Sequence, residues 1–233
     1  MTFQVTIRST GHMFTVDENE SILDAALRQG IILPYGCRNG ACGACKGTIA
    51  NGIVSYKHGQ PPALSDADAA EDKALFCQAR AQSDLDIIVR EVDAARDIEV
   101  KTLPCRVEKL EHLAHDVVRI YLKLPSSERL QFLAGQYIEV LIKDHEPRAF
   151  SIANAPHDDE YVELHIRFVE GGLFTDRVFH SMQEKAMLRM RGPLGTFFLR
   201  EDSDRPAILI GGGTGFAPIK GILEHAFKIG IDK

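Results

Sequence analysis

Pro34-Tyr35-Gly36-Cys37-Arg38-Asn39-Gly40-Ala41-Cys42-Gly43-Ala44-Cys45-Lys46, with a further thiol downstream at Cys77, is the stretch from which the rest of the chain is read. Its three cysteines are separated by four and then two residues and interleaved with Gly36, Gly40 and Gly43. That pattern fits a loop that wraps an inorganic cluster and turns backbone N–H groups toward its sulfurs. Glycines are needed there because they take the positive-φ conformations that bring backbone close to the cluster. Four thiolates at this spacing are the donor set of a [2Fe-2S] centre. The rival readings are zinc and disulfides. Zinc ribbons use two similar Cys-x2-Cys knuckles, whereas here the second half is a single Cys77 with no nearby His. Disulfides fit less well still. The opening residues Met1-Thr2-Phe3-Gln4-Val5 read as a strand rather than a secretory signal, and a chain of 233 residues can build a core without covalent staples. The fifth thiol, Cys105, lies between Pro104 and Arg106 at a strand start and reads as a packing residue.

Composition bounds the rest. The length of 233 residues predicts two domains and part of a third. Apolar residues at 45% and charged ones at 26% describe an ordinary globular chain. No apolar run reaches the roughly 20 residues that cross a bilayer, so no membrane association is expected. The net charge of -6, without an extended basic cluster, argues against a nucleic-acid partner. Free thiols without an export signal predict a cytoplasmic location.

Phe3-Gln4-Val5-Thr6-Ile7-Arg8 alternates as a half-buried strand, and Met13-Phe14-Thr15-Val16 returns as a second. Ile22, Leu23, Ala26 and Leu27 then share a helical face that Gly30 terminates. Strand-like segments recur at 47–50 and 85–89, with a short helical turn at 64–68. This order, with the cysteine loop, resembles a plant-type [2Fe-2S] ferredoxin domain over residues 1–92. The resemblance implies a β-grasp fold, ligation by Cys37, Cys42, Cys45 and Cys77, and a one-electron carrier with a potential of the order of -400 mV. His12 and His58 lie outside the motif, and Tyr35 and Arg38 beside the first ligand are candidate contacts for a partner protein.

Residues 93–101 are small and charged and read as a linker. Strand-like segments at 105–110, 117–122 and 136–142, divided by turn residues, predict a small antiparallel barrel. In Arg148-Ala149-Phe150-Ser151 a cation, an aromatic face and a hydroxyl lie within one strand end. Gly171-Gly172-Leu173-Phe174-Thr175 places a glycine pair before a helix, where free N–H groups can receive a phosphate. Arg191-Gly192-Pro193-Leu194-Gly195-Thr196-Phe197 reads as a glycine-bracketed turn. Together these motifs resemble the flavin domain of the ferredoxin-NADP reductase superfamily, over residues 102–203. By position the resemblance implies FAD, with Arg148 on its diphosphate, Phe150 against the isoalloxazine and Ser151 near N5 as the catalytic position. Ile166, Gly172, Leu173 and Thr175 would complete the flavin contacts. Position 150 is more often Tyr in that family, so one polar contact is lost and the stacking face kept.

Arg205-Pro206-Ala207-Ile208-Leu209-Ile210 reads as a strand buried on both faces, running into Gly211-Gly212-Gly213-Thr214-Gly215-Phe216-Ala217-Pro218 and a helix. Strand, glycine-rich turn and helix are the opening of a dinucleotide-binding βα unit. After a flavin barrel the turn resembles the nicotinamide-binding turn of the same superfamily, with Gly211, Gly212, Gly213, Thr214 and Gly215 as the implied NAD(P)H contacts. One βα unit does not make a doubly wound sheet, so residues 204–233 are expected to be the beginning of that domain and the chain the amino-terminal part of a longer protein. The expected fold class is therefore α+β multidomain: a β-grasp ferredoxin domain, an antiparallel flavin-binding β-barrel and the start of an α/β dinucleotide-binding domain. The resemblance is nearest to CDP-6-deoxy-glucoseen reductases and to the reductase components of oxygenases. It implies an oxidoreductase that passes electrons from NAD(P)H through FAD and the [2Fe-2S] cluster to an oxygenase or dehydratase partner. The rival expectation is a flavin and iron-sulfur electron relay, or an inactive fragment, without NAD(P)H activity of its own.

Overall fold

In the computed structural model, which describes residues 1–231, the alternation at the amino terminus folds as a hairpin. β1 (Thr2–Ile7) buries Val5 and Ile7 and pairs antiparallel with β2 (Met13–Asp17), which buries Phe14 and Val16. α1 (Ile22–Arg28) buries Ile22, Leu23, Ala25 and Ala26. The Ser21 hydroxyl caps it by accepting from the Asp24 N–H at 3.1 Å, and Gly30 at φ +77° ends it. β3 (Lys46–Asn51), β4 (Val54–Tyr56), α2 (Asp66–Ala70), β5 (Lys73–Leu75), β6 (Ala79–Ala81) and β7 (Leu85–Ile88) follow. The main sheet runs β2-β1-β7-β3-β5, with β1 and β7 parallel and the other pairs antiparallel. β4 and β6 form a separate two-stranded ribbon. A mixed sheet with one helix after the first hairpin is the expected β-grasp. This unit spans Met1–Asp97, so its end falls inside the segment read as a linker. Residues 93–95 wind into a single 3-10 turn there and bury Ala95.

The second unit begins at Ile98. Its elements are β8 (Lys101–Ala114), β9 (Val117–Lys123), β10 (Tyr137–Leu141), β11 (Arg148–Ser151), β12 (Val162–Arg167), α3 (Leu173–His180), β13 (Met187–Leu194) and α4 (Phe216–Ile229). The sheet order is β11-β10-β13-β8-β9-β12, antiparallel throughout. A bridge between Ile152 and Leu164 joins the two edges, so the sheet closes into a barrel. Inward side chains alternate along the strands, and Cys105, Val107, Ile120, Leu122, Ile138, Ile152, Leu164 and Ile166 fill the interior. Cys105 is 1% exposed, and burial pushes its thiol up to about 12, as befits a packing residue.

Two expectations are corrected. Residues 191–194 belong to β13 and pair with β10 and β8; the turn begins only at Gly195, at φ +90°. The apolar segment 205–210 is not a strand: Ile208 and Ile210 are 87% and 88% exposed. A strand buried on both faces needs neighbours on both edges and layers over both faces, and no described strand pairs with this segment. α4, by contrast, is docked on the barrel. A Cβ on Gly221 would lie 2.8 Å from the Asn154 carbonyl oxygen, and the Lys220 ammonium donates to the Ala153 carbonyl at 3.2 Å. Within the segment 204–233, Asp232 and Lys233 lie outside the described residues. No helix among the described residues is long and apolar enough to cross a membrane.

Candidate functional site

The cysteine loop gathers its four thiols as two pairs. Cys37 and Cys42 exchange contacts, each N–H donating to the other's Sγ at 3.4 and 3.3 Å. Cys45 and Cys77 bring their Sγ atoms to 3.1 Å, and all four are free cysteines. The described residues hold no group of three or more His, Cys, Asp or Glu placed to hold one metal ion. Two thiol pairs instead suit a centre with two metal atoms and two protein ligands on each. Burial divides the pairs as well: Cys37 and Cys42 are exposed, Cys45 and Cys77 buried.

The loop is built for anionic sulfur. Burial raises the Cys37 thiol, but the hydrogen bond with Cys42 and backbone N–H groups of Asn39, Cys42 and Ala41 outweigh it, so the thiol sits below its ordinary value. The hydrogen bond with Cys77 lowers Cys45 to about 7, while the same bond and burial push Cys77 up. The glycines make room. Gly40 and Gly43 stand at φ +80° and +72°, and a Cβ on Gly40 would lie 2.8 Å from the Pro61 Cβ. The Gln78 amide donates to the Arg38 carbonyl at 2.8 Å, tying the first ligand's neighbour to the fourth's. These residues fit a [2Fe-2S] group.

A second site lies on the barrel, where a cleft of about 400 Å³ is lined by Arg148, Ala149, Phe150, His165, Arg167, Val169, Gly172, Phe174, Thr175 and Thr214. Phe150 is held by a tilted contact with Phe174 of α3, ring centroids 5.4 Å apart. Arg148 is exposed and donates to the carbonyls of Glu146 and Pro147 at 2.8 and 3.2 Å. A Cβ on Gly172 would lie 2.6 Å from the Thr175 Oγ1, so only glycine fits before α3. The Thr175 hydroxyl donates within its own loop, to Val169 or Gly172 carbonyls at 3.0 Å. Aromatic wall, two guanidiniums and a helix start fit a planar ring carrying a diphosphate.

Of the residues expected on the flavin, Arg148, Phe150, Gly172 and Thr175 line the cleft, and of those expected on the nicotinamide Thr214 lines it too. Ser151 sits half-buried at the end of β11 and Leu173 is exposed, both beside the lining. Ile166 points into the barrel core at 0% exposure; its strand neighbours His165 and Arg167 face the cleft instead. The period of two along β12 carries that signal, since 165 and 167 share a face opposite 166. Gly211, Gly212, Gly213 and Gly215 are in the turn before α4, where Thr214 reaches the cleft and a Cβ on Gly211 would lie 2.7 Å from Ile219 Cδ1.

Behind His165 is a buried network that sequence reading missed. Glu163, 6% exposed, bonds to His165 Nε2 at 2.8 Å and accepts from Lys220 Nζ of α4 at 3.0 Å. Burial alone would raise the Glu163 carboxyl; the bonds from His165 and Lys220 outweigh it and hold it below the usual range.

Comparison with known proteins matches one family model to each unit. A family model described as a 2Fe-2S iron-sulfur cluster binding domain matches residues 5–82, and one described as an oxidoreductase FAD-binding domain matches residues 104–199. The CDP-6-deoxy-L-threo-D-glycero-4-hexulose-3-dehydrase reductase of Yersinia pestis is 38% identical over 96% of this chain and 67% of its own length. The chain belongs to this family of iron-sulfur flavin reductases. The phenol hydroxylase P5 protein of Acinetobacter pittii is 40% identical over 99% of this reductase and 65% of its own length. Among solved structures, the Amycolatopsis cytochrome P450 reductase GcoB matches with a TM-score of 0.74 at 34% identity, covering 95% of this chain and 67% of that one. The ferredoxin reductase of a carbazole 1,9a-dioxygenase matches at 0.66 and 31%, covering 95% and 70%. The reductase thus spans about two thirds of the length of these relatives. It is an electron-transfer oxidoreductase with a [2Fe-2S]-binding domain and an FAD-binding domain.

Proposed function

We propose that this reductase takes electrons from NAD(P)H at the barrel cleft and delivers them singly, through Cys37, Cys42, Cys45 and Cys77, to a partner protein of the oxygenase or sugar-dehydratase type. The observation that carries the reading is the pairing of four free thiols, Cys37 with Cys42 and Cys45 with Cys77, on a loop rich in N–H donors. FAD, when bound, supplies the conversion of a two-electron donor into one-electron steps, and the [2Fe-2S] group supplies the single-electron carrier.

The chain's own residues bind and orient. Arg148 and Arg167 offer charge to the diphosphate, Phe150 offers its face to the ring, and Ser151 sits where the resemblance puts the N5 contact. Ile166 contributes through the barrel wall, Gly172, Leu173 and Thr175 through the start of α3. Gly211, Gly212, Gly213, Thr214 and Gly215 form the turn proposed for the nicotinamide cofactor, and Thr214's place in the cleft lining supports putting donor and flavin side by side. The functional divisions proposed are 1–92 for the ferredoxin domain, 93–101 for the linker, 102–203 for the flavin barrel and 204–233 for the opening of the nicotinamide domain. A reducing cytoplasm, in which four thiols stay available, is the proposed location.

The exposed, unpaired segment 205–210 favours a second reading, in which the chain holds both groups but is not itself reduced by NAD(P)H. Anaerobic visible absorption, with NADH added before dithionite, separates the two. Bleaching of flavin and iron-sulfur bands by NADH supports the reductase; bleaching by dithionite alone supports the relay. If iron-replete protein lacks an iron-sulfur band, the thiol assignment is wrong.

A further inference from the structure

Beside the cluster loop, the first unit has a surface cleft of about 730 Å³. Its lining includes the acidic Asp17, Glu20 and Asp24 and the basic Arg38, Lys57, His58 and Arg80, together with Cys77 and Gln78. The two sets are not equivalent. Glu20 is satisfied by Arg28, whose Nη2 lies at 2.7 Å, Asp24 is paired with Arg38, and the Asp17 carboxylate accepts from the Thr2 hydroxyl. The side chains of Lys57, His58 and Arg80 have no hydrogen-bond or ion-pair partner among the described residues. With Glu20 and Asp24 neutralised by Arg28 and Arg38, the lining leaves Lys57 and Arg80 against the single carboxylate of Asp17, a local excess of positive charge beside one of the four thiols.

The cations stand on a rigid frame. Arg80 is on β6, paired with Ser55 of β4, and Lys57 directly follows β4. The Leu75 N–H donates to the Tyr56 hydroxyl at 3.2 Å, which ties the ribbon to the segment before Cys77. Gln78 connects the cleft to the cluster loop through its bonds to the Cys77 and Arg38 carbonyls. Lys57 and Arg80, unpaired and lining the same cleft as Cys77, favour charge-steered encounter with an anionic protein surface.

We infer that this cleft is the surface on which the reductase docks its electron acceptor, and that the acceptor meets Lys57, His58 and Arg80 with a patch of carboxylates. The inference rests on the proposed cluster ligation. Electron transfer across the surface is one electron out of the reduced cluster and one into the acceptor, with no bond made or broken.

The test uses the full chain with its cluster, reduced anaerobically by dithionite and reoxidised in a stopped-flow instrument at low ionic strength. Poly-L-glutamate serves as the acidic occupant, and ferricyanide and hexaammineruthenium(III) as oxidants of opposite charge. Poly-L-glutamate is expected to slow reoxidation by either oxidant, and 200 mM salt to relieve it, since the Debye length then falls below about 8 Å. In the variant K57E/R80E the inhibition should vanish, ferricyanide should react roughly tenfold more slowly and hexaammineruthenium(III) faster, as steering by local charge requires. Inhibition that persists in the variant, equal inhibition by inorganic phosphate, or inhibition of NADH-driven cluster reduction instead of cluster oxidation would each overturn the docking surface. Absence of iron-sulfur absorbance before mixing would count against the ligation, which keeps the two failures distinct.

Discussion

At the scale of single residues, the chemistry depends on side chains whose surroundings fix their state. Phe150 is held by Phe174 at 5.4 Å and keeps one face toward the cleft. Removing the face proposed to stack on the flavin would cost about 2 kcal/mol, or roughly 30-fold in FAD affinity. Phe150→Ala is therefore expected to lose FAD on gel filtration, and Phe150→Tyr to retain it. Gly40 makes the opposite demand, for space. At φ +80°, with Pro61 at 2.8 Å from any Cβ, Gly40→Ala combines about 1–2 kcal/mol of left-handed strain with a steric clash. The expected outcome is faster loss of iron-sulfur absorbance with flavin absorbance unchanged. Glu163 couples charge to stability. Its carboxylate is held below its unfolded value, so its contribution is present above about pH 4.3 and is lost as pH falls through the lower folded value. Glu163→Ala, which removes the bonds to His165 and Lys220 but leaves Lys220 paired with Glu224, should cost about 2 kcal/mol at pH 7 by urea denaturation. That difference from the wild type should narrow below pH 4, and if it stays constant the carboxylate is not the source.

At the scale of elements, α4 is positioned by close approach rather than by a large apolar contact alone. Gly221 lets its backbone lie against Asn154, and Lys220 reaches Ala153 and Glu163 on the barrel. Gly221→Val places methyl groups where the Asn154 oxygen sits, an overpacking that costs about 1–3 kcal/mol. Amide hydrogen exchange should then accelerate across 216–229 while β8 to β12 stay protected. Such contacts explain what the sequence could reveal and what it could not. β1, β2, α1, β9 and β10 were legible because each buries one face, and burial writes a period of two or 3.6 into the residues. The cysteine loop was legible because ligand spacing is local. The β4–β6 ribbon was not, since three-residue strands are too short to show a period, and Glu163–Lys220 was not, since its partners are 57 residues apart. The segment 205–210 misled for a related reason. Apolar content signals a capacity for burial, whereas a strand exists only where a neighbour pairs with it.

At the scale of the whole molecule, two units with separate interiors carry two separate chemistries. The first buries Ile7, Leu23, Leu75, Phe76 and Ile87 around a sheet whose β3 begins directly after Cys45 and whose β5 ends two residues before Cys77. A bound group that crosslinks those thiols ties the loop to both strands, and because it binds the folded unit in preference to the unfolded chain it stabilises that unit by mass action. The barrel draws its stability from Val107, Ile120, Ile138 and Ile166, none of which touches a thiol ligand in sequence or in the sheet. Removing iron with a chelator under reducing conditions should therefore act on one unit. Scanning calorimetry of the full chain is expected to show two transitions, with the transition of the first unit lowered after iron removal and that of the barrel shifted by less than about 2 °C. Adding FAD should do the converse, raising the barrel transition alone. A single cooperative transition that moves as a whole with either cofactor would mean that the two chemistries share one folding unit, and the separation drawn at Asp97 would have to be abandoned.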